Sequence, residues 1–361
     1  MTDCILALAD DMTGALEVGA KFSAVGIRSL VSAKPVEAES AAVLVLDTET
    51  RHRSPQAAGQ EVRRFVLRAG LACPRLIYKK TDSTLRGNIA AELKALVELY
   101  PMWRAAYAPA YPELGRTVKR GLLYVDGVPV AETEYARDPL NPVRSSSVSA
   151  ILGAEMACAI FDGETDGDIG AAAATILADP SMRIAMGPAA LAGAIAERID
   201  IPRGAPPLLP EFRSCLVLNG SRHERSSAQI THAEAHGCMS LEPDAAWRIL
   251  GRDHAPGADP AQVAKANAAD VLKELAAGAA DAILVNGGDT AFAVVAELGL
   301  PPLLPVREIV TGVPVTRIEA AQLARVLPGR RRDLFLITKA GGFGERDVLC
   351  RVRERLDRHG R

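Results

Sequence analysis

The chain has 361 residues, which is more than one hydrophobic core usually serves, so two domains are expected. The composition is that of an ordinary globular protein, and a formal net charge of −2 provides no positive field to attract nucleic acid or an anionic membrane. The N-terminus lacks a signal-peptide pattern and no apolar run approaches the roughly 20 residues of a membrane span, so the sequence predicts a cytoplasmic protein.

Six cysteines are spread along the chain without any CxxC pair. Widely spaced cysteines in a cytoplasmic protein are usually reduced. The sequence therefore predicts reduced core residues at Cys4, Cys73, Cys158, Cys215, Cys238 and Cys350.

The first predicted unit is a strand, an acid pair and a helix. Residues 4–9 form a short apolar run typical of a buried parallel strand, and Asp10 and Asp11 separate it from a helical pattern that begins at Met12. One aspartate, or Thr13, can cap that helix by accepting a hydrogen bond from a backbone N–H. The other aspartate then has no local structural role, which favours a site role for one member of the pair.

Polar residues also follow a later strand. Residues 28–32 and 42–46 are predicted strands, and the second leads into DTETRHR, residues 47–53. Arg51 is of interest because its guanidinium can bind a carboxylate through two parallel hydrogen bonds. A solvated surface arginine is the alternative that the sequence leaves open.

The densest polar segment is KKTDSTLRGN, residues 79–88, between a predicted strand at residues 75–78 and a helix from Ile89. A helix start needs only one short polar cap. Here charged and polar residues crowd together: Lys79, Lys80, Asp82, Ser83, Thr84, Arg86 and Asn88. Because side chains alternate along a strand, the two lysines should point to opposite faces of the sheet. The segment predicts a site for a polar, anionic ligand, with a capped helix beside solvated lysines as the alternative.

Strands then alternate with helices as far as residue 198, which predicts a mainly parallel sheet covered on both faces. Within this region, Asp126-Gly127 between two apolar runs predicts a β-hairpin with a type I′ turn. Residues 201–212 contain four prolines and form the predicted linker. The predicted domains are therefore residues 1–205 and 206–361.

In the second half, three apolar strands each end in a glycine-bearing turn that opens a helix. The turns begin at Asn219, Asn286 and Lys339. Glycine lets backbone N–H groups approach phosphate oxygens, and a helix N-terminus carries partial positive charge. Three such turns at one sheet edge favour a phosphate site over three merely tight turns.

Several familiar site motifs are absent from the sequence. It contains no GxxxxGK[ST] loop and no GxGxxG motif with a following acid. His232, His236 and Cys238 could outline a metal site, but no fourth ligand is visible, so we do not predict one there.

Taken together, these segments resemble the four-carbon acid sugar kinase family, whose members phosphorylate tetronates such as threonate, erythronate and oxo-tetronates. The resemblance spans nearly the whole chain. The substrate-domain motifs are ADDMTGA, DTETR, KKTDSTLRGN, APAYPELGRT and DPLNP, at residues 9–15, 47–51, 79–88, 108–117 and 138–142. The nucleotide-domain motifs are VNGGDTA, TGVP and KAGGFG, at residues 285–291, 311–314 and 339–344. The expected fold is α/β with two domains, each a mainly parallel sheet flanked by helices, and an active site in the interdomain cleft.

The resemblance also implies residue roles. Acid-sugar contacts are implied for Asp10, Arg51, Lys80, Thr81, Asp82 and Ser83. ATP contacts are implied for Ser221, Gly287, Gly288, Asp289, Thr290, Gly341 and Gly342. Two features depart from the family: Arg222 and His223 stand where small residues usually follow, and the second half is shorter.

Phosphoryl transfer requires mainly that reactants be positioned and developing charge be neutralised. Arg51 and Lys80 suit the carboxylate or the transferring phosphoryl group, and Asp82, Asp10 or Asp11 could accept the hydroxyl proton. Asp82, Asp10 and Lys80 are therefore the catalytic candidates, and Asp11 joins the substrate-binding set. ATP and Mg²⁺ are the expected cofactors, with Asp289 a candidate ligand in an otherwise unassigned metal site.

A small-molecule sugar acid is the expected partner, with no nucleic acid and no membrane, and a homodimer is left open. The alternatives are a nicotinamide-dependent sugar-acid dehydrogenase and a non-catalytic sugar-acid sensor. The missing GxGxxG motif counts against the dehydrogenase. The full polar set of the first half counts against the sensor.

Overall fold

The computed structural model describes residues 2–36, 41–71, 73–153, 156–221, 223–250, 259–278 and 280–359. The chain forms two compact units, Met1–Pro206 and Pro207–Arg361, divided within the proline-rich segment. Each unit is built on a mainly parallel sheet with helices, which confirms the predicted fold class. Among the described residues, no helix is long and apolar enough to cross a membrane.

The first unit is a parallel sheet with helices on its faces. Its strands are β1 (Thr2–Ala9), β2 (Ser29–Ser32), β3 (Val43–Asp47), β4 (Pro74–Lys80), β5 (Ala105–Tyr107), β6 (Arg116–Lys119), β7 (Leu122–Val125), β8 (Val128–Pro129), β9 (Cys158–Ile160) and β10 (Ile184–Gly187). Its α-helices are α1 (Met12–Ala24), α2 (Pro55–Arg68), α3 (Ile89–Leu99), α4 (Val148–Leu152), α5 (Asp166–Ala178) and α6 (Ala189–Arg198). Seven strands form one parallel sheet in the order β2-β3-β1-β4-β10-β5-β9, and β6, β7 and β8 form a small antiparallel sheet.

The central strands β1, β3 and β4 are almost entirely buried because helices cover both faces of the sheet. Helix α1 packs on this sheet and against α6, whereas α2 packs against α3. Lys79 forms an ion pair with Glu92 of α3, and the next residue, Lys80, lies against Gly14 of α1. The two helix pairs therefore cover opposite faces, and the predicted opposite orientation of the two lysines is confirmed.

The predicted β-hairpin is present. Strands β7 and β8 pair across Asp126 and Gly127, whose φ angles of 50° and 82° are the positive values that a type I′ turn requires. Strand β6 adds a third strand that the sequence analysis missed. It joins β7 through Arg120 and Gly121, which also have positive φ angles. Arginine is rare in that conformation, so this turn gave no sequence signal.

The second unit is a mixed sheet. Its strands are β11 (Cys215–Asn219), β12 (Trp247–Leu250), β13 (Ala282–Asn286), β14 (Leu304–Val310), β15 (Val313–Ile318) and β16 (Leu334–Lys339). Its helices are α7 (Glu224–Ala235), α8 (Pro260–Ala276), α9 (Gly288–Glu297), α10 (Ala320–Leu323) and α11 (Val348–His359). The order is β12-β11-β13-β16-β15-β14, with β14 and β15 antiparallel at one edge. The sequence analysis missed this antiparallel edge and found the three central strands, whose Val217, Leu284 and Ile337 lie in the core.

The prediction that all cysteines are reduced is wrong for two of them. Cys238, which follows α7, and Cys350, within α11, form a disulfide. They are 112 residues apart, so no local spacing could reveal the pair. Disulfides are rare in cytoplasmic proteins, which is why the sequence analysis expected free thiols at every position. The other cysteines differ in burial, with Cys4 and Cys215 buried and Cys73 and Cys158 half-buried.

Reducing the Cys238–Cys350 bond should destabilise the second unit by about 2–4 kcal/mol, because a cross-link across a long loop restricts the unfolded chain. The measurement is urea unfolding with and without dithiothreitol. The Cys238→Ser/Cys350→Ser double variant is the control, since reductant should leave its midpoint unchanged. An oxidised wild type that unfolds at the same urea concentration as the reduced one would contradict the prediction.

Candidate functional site

The turns after β1, β3 and β4 lie side by side in the first unit. These strands are neighbours, and Ala9 pairs with both Asp47 and Lys80, so their carboxyl ends are level. From β1 the chain continues to β2 and β3 on one side of β1 and later to β4 on its other side, and open α/β sheets bind ligands where the strand order changes direction in this way. This arrangement gathers the predicted acid-sugar residues at one edge: Asp10, Asp11, Arg51, Lys80, Thr81, Asp82 and Ser83.

Arg51 is bound to the acid pair that follows β1. Its Nε and Nη2 donate to the two Asp10 carboxylate oxygens, both at 2.8 Å, and its Nη1 donates to Asp11 Oδ2 at 2.6 Å. Asp11 is also the cap of α1, since its Oδ1 accepts a bond from the Gly14 N–H at 2.9 Å. Asp11 therefore caps the helix, as expected for one member of the pair, whereas Asp10 has no capping role and binds Arg51.

Asp82 is held by its own turn. Arg86 donates to both of its carboxylate oxygens, at 3.0 and 2.9 Å, and the backbone N–H and hydroxyl of Thr84 donate to Oδ2. Arg86 in turn donates to Asp138 Oδ2 at 3.1 Å, which brings the DPLNP segment to this edge. Arg51 Nη1 is 3.9 Å from Asp82 Oδ1, so the two arginine–aspartate groups are in electrostatic contact.

The charges around these carboxyl groups shift their pKa values in different directions. Burial would raise the pKa of Asp82, but Arg86 and Arg51 outweigh burial and hold it well below its usual range. Burial likewise opposes Arg51 and Lys80 at Asp11, whose pKa is lowered. Both carboxylates therefore remain ionised and act as acceptors. Burial raises the pKa of Asp47, at the end of β3, to about 7.

The lysines of β4 have separate roles. Lys79 is fully buried and its Nζ lies 3.0 Å from Glu92 Oε2, so it forms part of the packing between sheet and α3. Lys80 Nζ donates to the Thr81 carbonyl at 2.9 Å on the α1 side, where its charge lowers the pKa of Asp11. Only Lys80 thus belongs to the charged cluster beside the acid pair.

Ser83 and Thr81 complete the predicted set. The Ser83 hydroxyl is buried, 2% exposed, and forms no hydrogen bond within the described residues. Thr81 Oγ1 accepts a bond from the Tyr107 hydroxyl at 3.3 Å. A buried hydroxyl without a partner costs free energy unless a ligand or water forms a hydrogen bond with it. The environment of Ser83 therefore favours a bound polar molecule at this position.

The backbone of these turns is strained. Glu49 and Leu85 have φ angles of 45° and 64°, in the left-handed region that larger residues avoid. Gly87 has a φ of 91°, and a Cβ there would lie 3.1 Å from Asp10 Oδ2. The same Cβ would lie 3.5 Å from Arg51 Cγ, so the turns after β1, β3 and β4 approach one another closely at Gly87.

In the second unit, the three glycine turns converge. Strands β11, β13 and β16 are neighbours, with Asn219, Asn286 and Lys339 in register at their ends. A Cβ on Gly220 would overlap Thr290 Oγ1, and one on Gly341 would overlap Ser221 Oγ, at 1.9 and 2.1 Å. Predicted ATP-contact residues of separate turns are thus packed together at one edge of the sheet.

Three polar residues at this edge were named in the sequence analysis only as the first residues of the turns and were not predicted to contact a ligand. Asn286 is fully buried, and neither of its side-chain amide atoms has a hydrogen-bond partner in the described part of the chain. Asn219 Oδ1 also has no hydrogen-bond partner among the described residues, and Lys339 is fully buried. The only available signal was their common place as the last residue of an apolar strand.

Two other sequence expectations concern this unit. Arg222, whose effect beside Ser221 was in question, lies outside the described residues. His223 caps α7 by accepting a bond from the Arg225 N–H through its side chain. Over the described ranges, no group of three or more His, Cys, Asp or Glu side chains could hold a metal ion.

Two family models match the chain. One, described as a sugar-binding N-terminal domain, matches residues 5–159, which include the turns after β1, β3 and β4. The other, described as a nucleotide-binding C-terminal domain, matches residues 242–349, which include the turns after β13 and β16. Ser221 lies outside both matches.

Relatives with kinase names match almost the whole chain. A D-threonate kinase from Bordetella bronchiseptica is 31% identical, covering 97% of this chain and 96% of the relative. A 3-oxo-tetronate kinase from Methylobacterium radiotolerans is 28% identical, covering 96% of this chain and 97% of the relative. Both units are therefore included in these similarities.

Solved structures share the fold. A structure from Salmonella typhimurium LT2 has a TM-score of 0.76 at 18% identity, covering 97% of this chain and 98% of that one. A domain of unknown function from Bordetella bronchiseptica has a TM-score of 0.50 at 28% identity, covering 98% of both chains. The latter was solved with bound citrate as a domain-swapped dimer.

Proposed function

This chain belongs to the four-carbon acid sugar kinase family, and we propose that it transfers the γ-phosphoryl group of ATP to the terminal hydroxyl of a four-carbon sugar acid. Relatives named D-threonate, D-erythronate and 3-oxo-tetronate kinase support a tetronate kinase. The observation that carries the proposal is the match to a D-threonate kinase over 97% of the chain, since it includes both units. The proposed substrate is threonate, erythronate or an oxo-tetronate.

The polar cluster of the first unit suits a small hydroxy acid. Arg51 uses three of its five N–H groups on Asp10 and Asp11, so it retains donors for a substrate carboxylate. The Lys80 ammonium group and the Ser83 hydroxyl, which forms no hydrogen bond with any described residue, add further donors. The carboxylates accept bonds from substrate hydroxyls. The citrate bound by a structural relative is also a hydroxy acid. We assign the sugar acid to Asp10, Asp11, Arg51, Lys80, Thr81, Asp82 and Ser83.

Within this cluster, the three catalytic candidates take different roles in the proposal. Asp82 stays ionised and fixed by Arg86, so it orients the substrate rather than serving as a strong base. Asp10 or Asp82 accepts the hydroxyl proton, since a loose phosphoryl-transfer transition state requires little base strength. Lys80 offsets the negative charge that develops on the transferring group.

ATP is assigned to the glycine turns of the second unit. Gly287, Gly288 and Thr290 stand at the start of α9, where backbone N–H groups and the helix dipole favour phosphate. Magnesium bound with ATP would neutralise phosphate charge, and a site made by phosphates with one or two carboxylates fits the exposed Asp289 of the first helical turn. The transfer itself requires that the γ-phosphoryl group and the acceptor hydroxyl be brought into contact. A homodimer is also proposed, by analogy with the dimeric structural relative.

The test is incubation of the protein with Mg-ATP and a panel of threonate, erythronate and oxo-tetronate isomers, followed by measurement of ADP release. One isomer should give rapid ADP formation, and nicotinamide absorbance in parallel samples should stay constant. The absence of ADP formation with every isomer, from folded protein, would refute the proposal. A change in nicotinamide absorbance would instead support the dehydrogenase.

Arg51→Ala is expected to weaken sugar-acid binding by roughly 1.5–3 kcal/mol, because a charge-assisted contact to a carboxylate is lost. The same change leaves Asp10 and Asp11 without their guanidinium partner, which adds repulsion of the substrate carboxylate. Isothermal titration with the active isomer measures the effect, and Arg51→Lys is the matched variant that keeps the charge but loses the fork geometry. If Arg51→Ala binds the sugar acid with wild-type affinity, Arg51 is not part of the sugar-acid site.

A further inference from the structure

In the turn KAGGFG, residues 339–344, four carbonyl groups are directed inward onto buried donors, those of Ala340, Gly341, Phe343 and Gly344. The Lys339 ammonium donates to the carbonyls of Ala340, Gly341 and Phe343, at 2.9, 3.3 and 3.1 Å. Lys339 itself is fully buried at the end of β16. One side chain therefore binds three carbonyls of the turn that directly follows it.

Helix α7 supplies the remaining donors to the same turn. Gln229 Nε2 lies 2.9, 2.8 and 3.0 Å from the carbonyl oxygens of Phe343, Gly344 and Glu345. Ser226 Oγ donates to the Gly341 carbonyl at 2.8 Å. Both side chains are fully buried, so these hydrogen bonds belong to the interior packing of the second unit.

This inward arrangement determines where the amide groups of the turn point. The N–H and C=O groups of a peptide unit point in opposite directions, so a turn with inward carbonyls presents its amides on the other side. The Phe343 N–H is used within the turn, on the Ala340 carbonyl at 3.0 Å. For Gly341, Gly342 and Gly344, the described hydrogen bonds include none donated by the backbone N–H. Successive outward amides form a concavity that binds anions.

The charge of Lys339 supports the same conclusion. Lys79, the other fully buried lysine, is neutralised by Glu92, whereas Lys339 has no carboxylate within 4.0 Å in the described part of the chain. Burial, with a contribution from Arg225, lowers the pKa of Lys339 to about 7. A buried ammonium group without a counter-ion is costly. An anion bound on the outer side of the turn would offset that cost.

We propose that Lys339, Gln229 and Ser226 are positioning residues that turn the amides of the KAGGFG segment outward to bind the phosphate groups of ATP. This inference rests on the proposed function, because it presumes that ATP is the ligand of the second unit. It goes further by naming three residues that do not touch the nucleotide. Their contribution is to fix the backbone that does.

Two variants test the inference, and each is compared with a control variant at an exposed position. Lys339→Met keeps the length of the side chain without its charge, and Gln229→Glu keeps the shape while replacing the donor with an oxygen. Each should raise the KM and the calorimetric Kd for ATP by at least about tenfold. The KM for the sugar acid should stay within about twofold, and kcat at saturating ATP should change less than the ATP KM. Lys273→Met, on the exposed side of α8, should behave as wild type.

The outcomes separate this inference from the function on which it rests. A wild-type protein that does not bind ATP would refute the proposed function itself. A wild type that binds ATP, with variants of equal affinity, would refute only the positioning role. If the affinities for ATP and for the sugar acid and the melting temperature all fall together, the three residues have a general structural role. That outcome would also refute the positioning role. If Lys339→Met does not fold, Gln229→Glu and the milder Ser226→Ala decide between the same outcomes.

Discussion

Glu92→Leu is expected to lower the free energy of unfolding by about 3–5 kcal/mol, because it leaves the ammonium group of Lys79 buried without a counter-ion. Lys79 and Glu92 are 0% and 1% exposed, and their charged atoms are 3.0 Å apart. Glu92 also accepts a hydrogen bond from Thr50, the residue before Arg51. The same change should therefore loosen the turn that carries Arg51 and weaken sugar-acid binding.

A double-mutant cycle separates the ion pair from simple packing. Lys79→Met alone should cost less than Glu92→Leu, since burial already raises the pKa of Glu92 and its carboxyl can take up a proton. The double variant Lys79→Met/Glu92→Leu should recover most of the lost stability, because an apolar pair can replace a buried ion pair. Urea unfolding of the four proteins measures the coupling. Additive losses in the double variant would show that the two residues do not act as a pair.

The behaviour of the two lysines shows what sequence reasoning can and cannot supply. The period of a strand was enough to place Lys79 and Lys80 on opposite faces, and the structure confirms it. The side chains that these lysines contact could not be predicted from the sequence. Glu92 is one acid on an amphipathic helix, and only the packing of α3 on the sheet makes it the counter-ion of Lys79.

The same limit explains the glycine turns and the disulfide. Strand-end glycines were visible in the sequence, whereas two of the three side chains that donate to the KAGGFG carbonyls, Ser226 and Gln229, come from α7, more than 100 residues earlier in the chain. The side-chain amide of Asn286 has no hydrogen-bond partner among the described residues because of its buried surroundings, and no local sequence pattern reveals those surroundings. The antiparallel edge β14–β15 and the Cys238–Cys350 bond depend on tertiary pairing in the same way. Residue types at the strand ends indicate where a site lies. Tertiary packing determines which of its polar groups remain available to a ligand.

The other large effect is expected at Gly288, where valine should abolish ATP binding while sugar-acid binding survives. Gly288 is the first residue of α9, so its backbone is helical and valine can adopt it. The neighbouring Gly287 is less suitable, because its φ of 109° would strain any other residue. At Gly288 the branched side chain should obstruct the approach of phosphate to the amides at the helix start. Loss of a binding surface, rather than loss of the fold, is then the expected result.

Calorimetry on Gly288→Val, with ATP and with the active sugar acid in separate titrations, decides the assignment of ligands to units. Ala266→Val, at an exposed position of α8, controls for the added β-branched side chain. Arg51→Ala is the reciprocal variant, and it should lose sugar-acid affinity while keeping ATP. If Gly288→Val loses the sugar acid and keeps ATP, the two units exchange their proposed ligands. If it loses neither, the turn after β13 does not bind phosphate, and the ATP site must be sought at the other strand ends of the second unit.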